Sequence, residues 1–202
     1  MIEPTATDTL VGLHELYTGI RQTIIDALES MIEEGNLIPS AQQTSERAGV
    51  DIETVFLYFS DMEHLFSIAD TQRRIQLESL FAGGDRSGSL AQRIQQLVDY
   101  RGSCYGVVSN IARASLAQRW RLKVLHENYA RHQQALKIDA FDWLPELASL
   151  PKPLQDSIEA QLSFEHWDRL RDHQNLAEGE AKAAIAATLS LSFPLSGRAL
   201  GQ

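Results

Sequence analysis

At 202 residues the chain is long enough to bury one or two real cores, and 44% hydrophobic residues with six prolines place it among globular rather than disordered sequences. It contains no apolar run of about 18 residues. The opening MIEPTATDTL lacks the basic-then-apolar pattern of a secretory leader, and the single cysteine, Cys104, excludes an internal disulfide framework. A cytoplasmic protein without a membrane anchor is therefore expected. Net charge is −9 but unevenly spread: residues 1–72 hold 13 acids against two bases, Arg21 and Arg47, whereas the other 130 residues hold 14 acids and 16 bases.

Sustained period-two alternation is missing, and helical periodicity runs throughout, so the fold class is all-α. Leu16, Ile20, Ile24, Leu28, Met31 and Ile32 mark a first helix from about 10 to 34, which Gly35 stops. Ser40 with Gln43 reads as a capping box opening a short helix that ends at Gly49. Asp51 caps the next, Ile52 to about Tyr58, and Ser60 or Asp61 opens a longer one through Leu80, before GGDRSGS at 83–89. Ser89 and Gln92 form a second capping box, followed by a helix over 89–106, a less regular segment at 107–117 and a long helix over 119–143. LPELASLPKPL, with three prolines, interrupts the helical pattern. Two more helices follow, about 153–174 and 178–193, the second stopped near Pro194.

Helices near 20, 8 and 7 residues long within the first 60, with Ala48-Gly49-Val50 between the last two, describe a helix-turn-helix. Gly35, Ser40, Ala48-Gly49-Val50, Thr54-Val55-Phe56, Phe59 and Glu63-x-Leu65 together resemble the signature of the tetracycline-repressor (TetR) family. The resemblance covers residues 20–66. Gly49 suits a left-handed turn, while Val50, Val55 and Phe59 are expected to face inward and hold the second and third helices on the first. The resemblance implies a helix-turn-helix domain at 1–60 and a helical ligand-binding and dimerisation domain at 61–202. It also implies a homodimeric, ligand-responsive regulator, as a rule a repressor, that binds palindromic double-stranded DNA. The implied DNA contacts are Ser40, Thr44, Arg47, Thr54, Phe56, Leu57 and Tyr58.

The outward positions depart from the family pattern. Phe56 stands where a tyrosine hydroxyl usually reaches a phosphate, Met62 where a lysine usually opens the fourth helix, and no Lys or Arg occurs between Ala48 and Gln72. Neutralised phosphates supply much of the affinity for DNA, so a second reading stays open: an interaction protein that kept the scaffold, lost DNA and binds a basic protein surface through its acidic face. A third reading is a carrier that uses a cavity alone.

Amphipathic aromatics make the candidate lining of an effector cavity: Tyr100, Tyr105, Trp120, His126, Phe141, Trp143, Phe164 and Trp167. Each of them is equally suited to ordinary core. The last helix, AKAAIAATLSLSF, is dense in small residues that let helix axes approach, so the two C-terminal helices are the expected homodimer surface. His14, His64, His126, His132, His166 and His173 are scattered, with no metal-ligand spacing, nucleophile elbow or phosphate cradle. No enzyme, metal or cofactor is expected.

Overall fold

The computed structural model of the chain describes residues 6–193, with residues 6–16 as backbone. Among the described residues there is no strand. The helices are α1 (Ala6–Glu33), α2 (Ala41–Ala48), α3 (Ile52–Tyr58), α4 (Met62–Phe81), α5 (Leu90–Gln118), α6 (Lys123–Trp143), α7 (Lys152–Gln161), α8 (Phe164–Asp168) and α9 (Glu178–Ser192). Pro145–Ser149 forms a 3-10 turn, and α8 runs on as a π turn at Arg169–His173. The stop expected near Pro194 lies outside the described residues.

Two compact units emerge: the chain up to Ile75 together with Arg113–His126, and Gln76–Ala112 with Glu127 onward. The first therefore extends beyond the boundary expected near residue 60 and takes in the turn between α5 and α6.

In the first unit the local signals act as read except at Asp51. Gly35, at φ 102°, ends α1, and the Asn36 amide reaches back to Met31 O at 2.9 Å. Ser40 Oγ accepts from the Gln43 amide at 3.2 Å while the Ser40 amide donates to Gln43 Oε1 at 2.9 Å, the reciprocal capping box. Gly49 takes the left-handed conformation at φ 69°, ψ 33°, and turns the chain from α2 into α3. Asp51 occupies the position before α3 but makes no side-chain cap, whereas Asp61 Oδ1 accepts from the His64 amide at 2.7 Å and caps α4. Ile24, Ile25, Leu28, Met31 and Ile32 of α1 are buried, as are Val55 of α3, Phe59 just after it, and Leu65 and Phe66 of α4. Each such side chain contributes about 1.5–3 kcal/mol through burial.

The second unit departs from the sequence pattern in two places. The segment 107–117, expected to be irregular, continues α5 without a break; no proline falls there, and Ser109 Oγ donates back to Tyr105 O at 2.7 Å. The helix expected over 153–174 instead breaks after Leu162, where Ser163 caps α8 by accepting from the His166 amide at 3.3 Å. The core is aromatic: Tyr105 lies edge-on to Phe164 with centroids 5.6 Å apart and tilted to Phe81 at 5.5 Å. Trp143 and Trp167 are among its largest fully buried side chains. Gly84, at φ 98°, lets the loop after α4 lie on Trp143, since a Cβ there would come within 2.4 Å of Cζ2.

Two substitutions separate these backbone roles. Gly49→Ala leaves open space around the new methyl and is expected to lose about 1–2 kcal/mol from the left-handed conformation alone. Gly84→Ala adds the clash with Trp143 to a similar strain, so urea unfolding should place it at least about twice as far below the parent.

Candidate nucleic-acid interface and ligand cleft

The helix-turn-helix presents α3 outward because Val55 and Phe59 point the other way, each 1% exposed. That leaves Phe56 at 46% and Leu57 at 76% exposure, with Thr54 and Tyr58 half-buried beside them. Tyr17 of α1 stacks on Tyr58 with ring centroids 4.5 Å apart, so two phenols stand at one edge of the face. Tyr17 was not singled out from the sequence; only its place on α1 relative to α3 reveals it. Ser40 is exposed at the start of α2.

Two of the expected DNA contacts are committed elsewhere. Thr44 is fully buried, and its hydroxyl donates to Ser40 O at 2.9 Å, which makes it part of the α2 framework. Arg47 forks onto Glu34, Nη1 to Oε1 at 2.7 Å and Nη2 to Oε2 at 2.6 Å, and Nη1 also donates to Ser30 Oγ at 2.8 Å. These hydrogen bonds hold the Glu34 carboxyl below its ordinary value, so Glu34 stays charged against the guanidinium. Arg21 lies 5.3 Å from the Phe59 ring centroid, and Arg73 pairs with Glu29 at 3.2 Å and Glu33 at 3.8 Å. Around α3 the exposed charges are Asp51, Glu53, Asp61 and Glu63.

Of the eight aromatic and histidine residues expected around a cavity, Tyr105 packs with Phe164 and Trp167, and Tyr100 with Trp143. Trp120, 78% exposed, and His126 belong to the first unit. Tyr105, Trp143, Phe164 and Trp167 are packed core. Tyr100 is a structural link, its hydroxyl donating to Leu80 O at 2.6 Å and accepting from the Gly83 amide at 2.9 Å. Phe141 borders a crevice of about 10 Å³, room for one water.

A cleft of about 370 Å³ opens instead along the end of α4 and one side of α6, lined by Phe81, Arg86, His132, Leu136, Ile138 and Asp139 among others. Its volume lies within the range of small-molecule sites. Asp139 is held between Arg86 at 2.6 Å and the buried Arg101 at 3.0 Å, and Arg86 also lies over the Trp143 ring at 4.9 Å. His132 meets Phe81 edge-on at 5.2 Å. The sequence offered no periodic signal for this group, because its members come from a helix end, a loop and the middle of another helix. Among the described residues no three His, Cys, Asp or Glu side chains gather as a metal site, and no helix is long and apolar enough to cross a membrane.

The fold is similar to that of solved helical transcription regulators. A transcriptional regulator from Rhodococcus sp. Rha1 is 15% identical with a TM-score of 0.65, over 85% of this chain and 94% of that one. A TetR-family regulator from Streptomyces coelicolor is 16% identical with a TM-score of 0.65, over 85% and 81%. A protein ascribed to the same family from Mesorhizobium loti MAFF303099 is 15% identical, with a TM-score of 0.57 over 87% and 96%. The chain thus has the TetR-family fold, as its motif residues indicated. No protein-family model and no curated protein matches it in sequence.

Burial pushes the His132 imidazole below its ordinary value, Arg101 adds to the push and Glu78 opposes it. An unfolded chain then takes up the proton first, so stability should fall as pH drops below about 6.5 and level off once the folded imidazole is itself charged. Urea midpoints at about pH 7.5 and 5.5 should therefore differ, and the difference should shrink in His132→Gln.

Proposed function

We propose that this chain is a TetR-like, ligand-responsive transcriptional regulator, a repressor that binds palindromic double-stranded DNA as a homodimer. The observation that carries this reading is the outward presentation of Thr54, Phe56, Leu57 and Tyr58 on a helix clamped from behind by Val55 and Phe59. Thr54 and Tyr58 supply hydrogen-bonding groups, and Phe56 and Leu57 supply apolar surface suited to thymine methyls. Ser40 at the start of α2 offers a phosphate contact.

Dimerisation through the C-terminal helices is supported by the two faces of α9. Ala181, Ile185 and Leu189 are buried, while Ala183, Ala187 and Leu191 form an exposed small and apolar stripe, with Leu191 87% exposed. Such a stripe suits close helix packing against its own copy. The effector would occupy the cleft beside His132 and Asp139, and its binding would shift the separation of the two reading helices away from half-sites about 34–36 Å apart.

A second reading is favoured by one observation, the capture of Arg47 by Glu34 beneath an acidic α3 face. On that reading the protein regulates through a basic protein partner. Selection from random duplexes by the purified protein at about 50 and 200 mM salt separates the two. An enriched palindrome that weakens with salt supports the regulator; no enrichment at low salt sinks it and favours the protein partner.

Two variants sharpen the reading. Met62→Lys restores a cation at the opening of α4 and should steepen the salt dependence of operator binding by about 0.9 in log–log slope per protomer. Leu191→Glu should convert the dimer to monomer in sedimentation velocity without lowering helix content.

A further inference from the structure

The cleft beside His132 is built wholly from the second unit, from the end of α4, the loop after it and α6. Its walls divide by chemistry. Phe81, Ala82, Ala135, Leu136 and Ile138 supply an apolar surface, and Ile138 keeps 56% of its area in water although Leu136, two residues earlier, is buried. An isoleucine left so exposed on a concave surface is area that a ligand can cover.

The charges of the lining are already engaged. Among the described lining residues Arg86 is the one arginine or lysine; it pairs with Asp139 at 2.6 Å and lies over the Trp143 ring at 4.9 Å. Asp139 is shared with the buried Arg101 at 3.0 Å. A charged ligand would have to take Arg86 or Asp139 from its partner and leave the other charge partly desolvated, which is costly. The other two acids of the lining, Glu78 and Asp142, are exposed to solvent, where an ion pair adds little and salt weakens it.

His132 differs from these groups. Its ring is half-buried and edge-on to Phe81 at 5.2 Å, and among the described residues no group hydrogen-bonds its ring nitrogens. Burial keeps it in the neutral form at neutral pH. A neutral imidazole carries one N–H and one lone pair. A hydrogen-bonding ring with no partner of its own, set in a mostly apolar cleft, fixes which polar group a ligand must bring.

We infer that the cleft takes an uncharged aromatic molecule bearing a hydroxyl, with the hydroxyl paired to the His132 ring and the aromatic body against Phe81, Leu136 and Ile138. A phenolic hydroxyl donates readily to the imidazole lone pair, and a flat ring adds a third member to the edge-on Phe81–His132 pair. An uncharged ligand leaves the Arg86–Asp139–Arg101 chain no charge to neutralise. The inference rests on the regulator reading for the role of that molecule as effector; the binding itself does not.

The test is equilibrium dialysis of the full chain against naphthol, methylnaphthalene, naphthoate and naphthylmethylammonium, each substituted at the same carbon. Naphthol should bind about tenfold more tightly than any of the others. His132→Phe, which keeps a ring against Phe81, should abolish the preference for naphthol over methylnaphthalene and leave the hydrocarbon's affinity within about twofold. Ile138→Ser, at an exposed position, should weaken naphthol severalfold with the preference kept. Tighter binding of the anion or the cation than of naphthol overturns the inference. So does naphthol binding that neither variant alters, or no naphthol binding by the parent protein. If random selection returns no palindrome while naphthol binding depends on His132, the regulator reading fails and the ligand class stands; an enriched palindrome with no naphthol binding sinks the ligand class alone.

Discussion

The acids of α1 constrain everything that the helix-turn-helix can do. Glu34, just past the end of α1, reaches across to Arg47 on α2, and Glu29 and Glu33 reach to Arg73 on α4, so the pairs tie two neighbouring helices to α1 and its end. The exposed Arg47–Glu34 pair adds little stability, and salt weakens it further. The larger effect of the pairs is on charge. Arg47 and Arg73 are turned toward the protein's own carboxylates, and the acids around α3 are left facing outward. The Glu29 carboxyl shows the crowding: burial raises it above its ordinary value, Arg73 pulls it back down, and Asp26 and Glu33 push it up again.

The geometry of α3 is set by other forces. Val55 and Phe59 are buried, as are Ile24, Ile25 and Leu28, and apolar burial is non-directional and indifferent to the charge of the opposite face. Backbone turns at Gly35 and Gly49 fix where α2 begins and how α3 leaves it. Shape and charge can therefore change independently along this segment, and a chain can keep the tripod of a DNA reader while its outward residues drift. Function has to be argued from the outward residues, here an acidic helix face, and shape from the inward ones.

This division explains what could be read from the sequence. The capping boxes at Ser40 and Ser89, the stops at Gly35 and Gly49 and the inward set Val55 and Phe59 are local or strictly periodic, and each is visible within a few residues. So was the shortage of bases between Ala48 and Gln72. The commitments of Thr44 and Arg47 were hidden because they depend on which carbonyl or carboxylate lies across a helix pair, Glu34 being 13 residues from Arg47. The placement of the aromatics was hidden for a related reason. Tyr105, Phe164 and Trp167 have the composition of a ligand cage, but they stack on one another at 5.6–6.5 Å and leave no room. Trp120 was grouped with them by residue type alone, and only the arrest of α5 at Gln118 and the burial of Leu122 show that it faces out.

The same close packing decides where ligand-sized space can exist. An aromatic core at organic-crystal density retains only water-sized gaps, as in the crevice beside Phe141. A larger opening needs a place where helices diverge, and α4 ends at Phe81 just as the loop through Gly84 settles on Trp143. The resulting cleft is lined by Phe81 and His132 and by Arg86 and Asp139, and the buried Arg101 pairs with Asp139 without lining it. Arg86 couples the lining to the core by lying over Trp143, and Arg101 couples it to α6 by donating to Leu136 O as well as to Asp139. A molecule entering the cleft would therefore meet groups whose partners are already fixed by the second unit's core. It could displace Arg86 from Asp139 at the exposed end of the chain, whereas the buried Arg101 would be left holding Asp139 in place.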